Sequence, residues 1–168
     1  AAILRKQKDE EEEDEDEAPT QLREAPDSDA VRLFGVGLVP VTVIFGLYMI
    51  SHGSVSPGGG FQGGVVLATV PLVVYLCAGA KTYLRIAPPA LAKGGEGLGA
   101  AGYALIGCLG VLAGKKFLEN VVPLGTPGEA WSAGTITLLN LTVGVAVGTG
   151  FVELISSFVE ELLRKAEK

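Results

Sequence analysis

Residues 51–64 read SHGSVSPGGGFQGG, and the chain on both sides is apolar. Upstream, residues 31–50 run VRLFGVGLVPVTVIFGLYMI; downstream, residues 61–80 run FQGGVVLATVPLVVYLCAGA. Each run is about 20 residues, the length at which an α-helix crosses the hydrocarbon of a bilayer. Pro57, Gly58, Gly59 and Gly60 do not make a comfortable helix, because proline lacks an N–H and glycine loses much backbone freedom. The stretch is therefore read as a short ordered turn, or a loop dipping into the membrane, between two spanning helices. Irregular backbone at that depth persists only where protein or water surrounds it.

Charge supports a membrane reading once its placement is examined. The formal charge of the 168 residues is −6, but residues 1–30 alone hold twelve acids and four bases. Residues 31–168 hold seven acids and nine bases. The body is thus apolar, glycine-rich and nearly neutral, the profile of a helical membrane protein rather than an acidic soluble enzyme. Residues 9–17, DEEEEDEDE, repel one another and cannot bury a core. Residues 1–29 are accordingly expected to form an acidic, disordered cytoplasmic tail, with docking onto a basic partner surface as its alternative use. No basic segment leads into an apolar run near residue 1, so no signal peptide is expected.

Apolar runs at about 30–50, 61–80, 98–114 and 133–164 predict an all-α integral membrane protein with four transmembrane helices. The four-helix domain is placed at 30–156, with an amphipathic C-terminal helix end at 157–168. Asp27, Ser28 and Asp29 are good capping types for the first helix. Pro40 and Pro71 fall near mid-helix in the first two spans and predict plain kinks. Residues 81–97, with Pro88, Pro89 and several glycines, read as an irregular loop, as do residues 117–132. Gly110 and Gly114 form a small-xxx-small pair that permits close helix contact. Trp131 suits the membrane interface.

With four spans, both termini and the loop at 81–97 share one side. That side carries Arg23, Arg32, Lys81, Arg85, Lys93, Arg164, Lys165 and Lys168, against Lys115 and Lys116 on the other. The bias predicts both termini in the cytoplasm and the glycine turn facing outward from the cell membrane. On the fourth helix, Thr135, Thr142, Thr149 and Glu153 fall on one face, and Asn140, Gly144 and Gly148 on the opposite one. The glycine face is expected against a neighbouring helix, the other against protein or water. The alternative for the threonine hydroxyls is to bond back to their own helix.

The chemistry available is sparse. His52, the single histidine, is read either as an interfacial hydrogen-bonded residue or as a proton relay. Glu153 is the other ionisable residue expected within the membrane domain, and both lie near helix ends. Cys77 and Cys108 lie inside apolar runs and are read as small hydrophobes in packed helices. No Gly-Lys-Ser or Gly-Lys-Thr follows the glycines, which removes a phosphate-binding loop. Neither a nucleophile with its base nor paired carboxylates appear. No catalytic residues, cofactor, metal or nucleic-acid partner are expected of this chain.

The block HGSVSPGGGFQGGVV at residues 52–66 resembles the signature of the B-type small-subunit family of Mrp-type multisubunit Na⁺/H⁺ antiporters. The four-span layout is similar too, so the resemblance covers about residues 31–156. It implies a small, non-catalytic membrane subunit of a cation/proton antiporter, accessory or lining an ion path. The implied partners are other membrane subunits, including larger complex I-like antiporter subunits, within the lipid bilayer. Related subunits in membrane-bound hydrogenase or sulfur-reductase complexes give the alternative of a redox-driven machine; a purely structural adaptor is the other. Carried onto this chain, the motif positions are Pro57, Gly58, Gly59, Gly60 and Phe61, with His52 and Gly63 beside them. The family implies an acidic residue on the fourth helix near the place of Asn140. Asparagine cannot carry that charge, so Glu153 or a partner is expected to supply it.

Overall fold

A computed structural model describes residues 28–166 except Ser56 and Ala130, so the acidic run lies outside the described residues. Among the described residues there are four helices: α1 Asp29–Ser51, α2 Gly60–Ile86, α3 Pro89–Leu112 and α4 Thr135–Ala166. Local chemistry sets their ends. Ser28 precedes α1 in extended conformation, and Asp29 sits in the first turn, where the helix dipole favours an acid. Gly59 precedes α2 at φ 102°, a left-handed value that glycine tolerates and other residues resist. Extended Pro88 is followed by Pro89 at the start of α3, where a missing N–H costs nothing.

The helices form a row rather than a closed bundle. α1 packs on α2, α2 on α4, and α4 on α3, while α1 meets α4 only slightly. Consecutive α2 and α3 therefore both lean on α4. Small residues set the seams. A Cβ on Gly46 would meet Leu67 at 2.7 Å, and one on Gly99 would meet the Ala146 nitrogen at 2.5 Å. Such close approach is how membrane helices gain packing energy without a hydrophobic drive between them. At the termini end, Tyr83, Ala87 and Val159 form a buried cluster with Tyr75, Leu84, Val152 and Ile155 around it. There the Tyr83 hydroxyl lies 2.8 Å from Ser156 Oγ.

All four helices are long and apolar enough to cross a membrane, yet only 17% of the α1 window and 11% of the α4 window are buried. Leu33, Phe34 and Ile44 on α1 are mostly exposed. A soluble monomer does not leave that much contiguous apolar surface uncovered. This is an all-α, multi-pass membrane protein.

Several sequence expectations need correction. Residues 81–97 are not an irregular loop: α2 continues to Ile86 and α3 starts at Pro89. Charges and prolines mimic a loop, but here they occupy helix ends, and Gly95 and Gly99 of α3 are accommodated against α4. α2 also breaks helical geometry at Gly79 (φ 80°, ψ 171°), beyond Pro71, and Pro40 and Pro71 lie inside α1 and α2. Gly114 lies beyond α3 at φ 73°, and Gly110 faces the Lys116 carbonyl, so that pair does not serve a helix–helix seam. Cys77 is buried against Gly35, but Cys108 is exposed.

Candidate functional site

The glycine turn closes onto Asn140. Pro57 bends the chain, and Gly58 (φ 144°) and Gly59 (φ 102°) carry it into α2. The Gly60 N–H then donates to Asn140 Oδ1 on α4 at 3.3 Å. A side chain on Gly60 would run into the Asn140 carbonyl, so the turn and α4 touch backbone to backbone. On the other arm of the turn, a Cβ on Gly53 would lie 2.8 Å from Asn140 Nδ2. Asn140 thus caps the first turn of α2 from a different helix and sits against both arms of the connection. It is five residues into α4, roughly 8 Å at helical rise, so the turn dips below the helix end.

Chemically this is the positive end of a helix dipole, with several N–H groups lacking intrahelical partners. The acceptor it meets is a neutral amide oxygen, which satisfies a donor without fixing a charge. Ser54 adds a fully covered hydroxyl with no hydrogen-bond partner among the described residues. Most buried polar atoms have a hydrogen-bond partner, so Ser54 stands apart. Sequence reasoning passes over Ser54 because a serine in a turn carries no signal of burial.

The other expected residues separate. His52 ends α1, its ring stacked on Tyr48 with centroids 4.1 Å apart. Its Nδ1 lies 3.0 Å from Ser51 Oγ and 3.2 Å from the Tyr48 carbonyl, which accepts from a protonated Nδ1. Gly63 packs below the turn, where a Cβ would meet Ile50 at 2.5 Å. Phe61 is exposed and meets Phe151 edge-on at 6.5 Å. Glu153 stands thirteen residues beyond Asn140 on α4, roughly 20 Å away, and does not belong to the turn. The Asn140, Gly144 and Gly148 face does pack on α2, as expected: a Cβ on Gly64 would lie 2.8 Å from the Gly144 carbonyl. The threonine face packs on α3, with Thr142 against Gly102 and Thr149 against Gly95. Their hydroxyls bond back to Leu139 and Val145.

A family described as a domain related to the MnhB subunit of Na⁺/H⁺ antiporters matches residues 31–153. The chain belongs to this MnhB-related family. An uncharacterised protein of Methanocaldococcus jannaschii is 30% identical over 149 residues, covering 77% of this chain and 56% of its own. Among solved structures, a chain of the membrane-bound sulfane sulfur reductase, an archaeal respiratory membrane complex, superposes with a TM-score of 0.67. It is 28% identical over 82% of this chain and 62% of that chain. This chain therefore spans little more than half the length of the relatives it matches.

Two further polar places in this MnhB-related chain pair Thr135 and Glu153 with residues that carry no signal in the sequence. Asn120, in the α3–α4 connection, accepts from both the Thr135 N–H and the Thr135 hydroxyl at 2.8 Å. Thr135 Oγ1 in turn accepts from the Val121 N–H at 3.0 Å. This network ties the connection to the start of α4. At the opposite end of the row, Lys93 Nζ lies 3.8 Å from a Glu153 carboxylate oxygen. Glu96 lines the same groove as Glu153. Reading 81–97 as a loop leaves Lys93 and Glu96 outside the helices; in the structure both belong to α3. Among the described residues no group of three or more His, Cys, Asp or Glu could hold a metal ion.

Proposed function

We propose that this chain is a non-catalytic membrane subunit of a multisubunit cation/proton antiporter, with its glycine turn beside the ion path. The observation that carries this reading is the family match across residues 31–153, which contains both the turn and its Asn140 contact. The chain has few intramembrane charges of its own, so larger antiporter-like subunits carry the principal proton routes. Both termini are cytoplasmic and the turn faces outward from the cell membrane, by the distribution of Lys and Arg. With a neutral asparagine at the turn, the site positions water and backbone dipoles rather than a fixed charge.

The likeness to a sulfane sulfur reductase chain supports a second reading: the same component in the antiporter-like module of a redox-driven complex, with any redox centres in other subunits. Cation-driven proton flux in everted membrane vesicles tests the path-lining role. His52→Ala and Phe61→Ala are expected to leave assembly intact and lower the flux severalfold. Normal assembly with unchanged flux in both variants would leave a structural adaptor instead. Flux that requires an electron donor would select the redox-driven reading.

A further inference from the structure

The groove between α3 and α4 at the termini end has an unusual lining. It has a volume of about 710 Å³, and its lining includes Glu96, Ala100, Gly150, Phe151, Glu153 and Ser157. Both helices are long and apolar enough to span a membrane. The Glu96 carboxylate lies over Gly150, where a Cβ would sit 3.7 Å from its Cδ. It is exposed and, among the described residues, has no hydrogen bond or ion pair. Lys93, the nearby base, reaches Glu153 instead. Lys93, Glu96 and Glu153 together leave one negative charge without a counterpart.

Protonation or a basic partner group would neutralise that charge. Glu96 is seven residues from the start of α3, roughly 10 Å at helical rise. Lipid tails supply neither hydrogen bonds nor countercharge. Residues 1–30 of this chain hold twelve acids against four bases, a net charge that would repel Glu96. Ala100 and Gly150 meanwhile keep the groove shallow-walled, so a helix backbone can approach closely.

We infer that the α3–α4 groove is the docking surface for a transmembrane helix of a different protein of the complex, one that presents a lysine, arginine or histidine to Glu96. The inference rests on the reading of this chain as part of a complex, and adds which face meets the partner and by what chemistry. A photoreactive benzoylphenylalanine in place of Ala100, in the full chain within native membranes, tests it while leaving Glu96 intact. Irradiation is expected to join Ala100's position to a polypeptide, and mass spectrometry to find Lys, Arg or His in the joined transmembrane segment. Crosslinks only to phospholipid, only to a second copy, or to a segment without a basic residue would overturn the inference. In parallel, E96Q is expected to weaken retention of the partner in mild detergent roughly tenfold or more, and E96K further. Reversing the partner's basic residue should then restore E96K. Undiminished retention with E96Q would also overturn it. A chain that co-purifies with no other membrane protein would instead defeat the reading of it as part of a complex.

Discussion

Replacing Gly64 by alanine tests the seam on which the candidate site is built. A Cβ there would lie 2.8 Å from the Gly144 carbonyl oxygen, 3.0 Å from the Gly148 nitrogen and 3.1 Å from Val147 Cβ. Ordinary contact begins at 3.4 Å, so α2 and α4 must part by about 0.6 Å, and the obstacles are mostly backbone. Overpacking of this kind costs ~1–3 kcal/mol. Alanine also gains up to ~1 kcal/mol of helix propensity, which blurs a single measurement. Gly97→Ala on α3 supplies the control, because nothing lies within 4 Å of a Cβ at that position. Subtracting the two cancels propensity and leaves ~1–3 kcal/mol of steric cost, roughly 5- to 150-fold in the folding equilibrium. Unfolding of the isolated chain in detergent micelles, followed by helical circular dichroism, reads the difference. Gly64→Ala as stable as Gly97→Ala would refute the close α2–α4 seam.

The remaining predictions concern single polar contacts. Asn140→Ala removes the acceptor for the Gly60 N–H and should cost ~0.5–2 kcal/mol, as loss of a helix cap does; Asn140→Asp keeps an acceptor and should cost less, both read by the same unfolding assay. Tyr83→Phe leaves the Ser156 hydroxyl without its 2.8 Å partner and should destabilise by ~1–3 kcal/mol, while adding Ser156→Ala should recover part of the loss. Asn120→Ala releases Thr135 from the α3–α4 connection, so limited proteolysis should cut within residues 113–134 faster than in the parent chain.

How far the sequence reaches follows from what hydropathy can and cannot encode. α1, α2 and α4 begin close to where their apolar runs begin, because burial in hydrocarbon demands such runs regardless of neighbours. The Gly144 and Gly148 face is legible as a packing face because small residues at helical spacing allow close approach. The start of α3 is not, since Lys93, Glu96 and the glycines around them look like loop chemistry until α4 is in place to receive Gly95 and Gly99. The row order, with α4 between α2 and α3, is a tertiary fact that no local pattern carries. At the candidate site, the turn itself is visible in Pro57–Gly60, and Asn140 stands out through family resemblance. That the two touch depends on how far the turn dips along α4. Glu153 carries the right chemistry to be grouped with them, but its distance along the helix excludes it.

Purification of the tagged full chain from membranes in a gentle detergent, with mass spectrometry of what accompanies it, bears most directly on the account. Larger polytopic antiporter-like subunits should come with it in a fixed ratio. Recovery as a folded monomer without detergent, or as a membrane protein with no companions, would contradict the account.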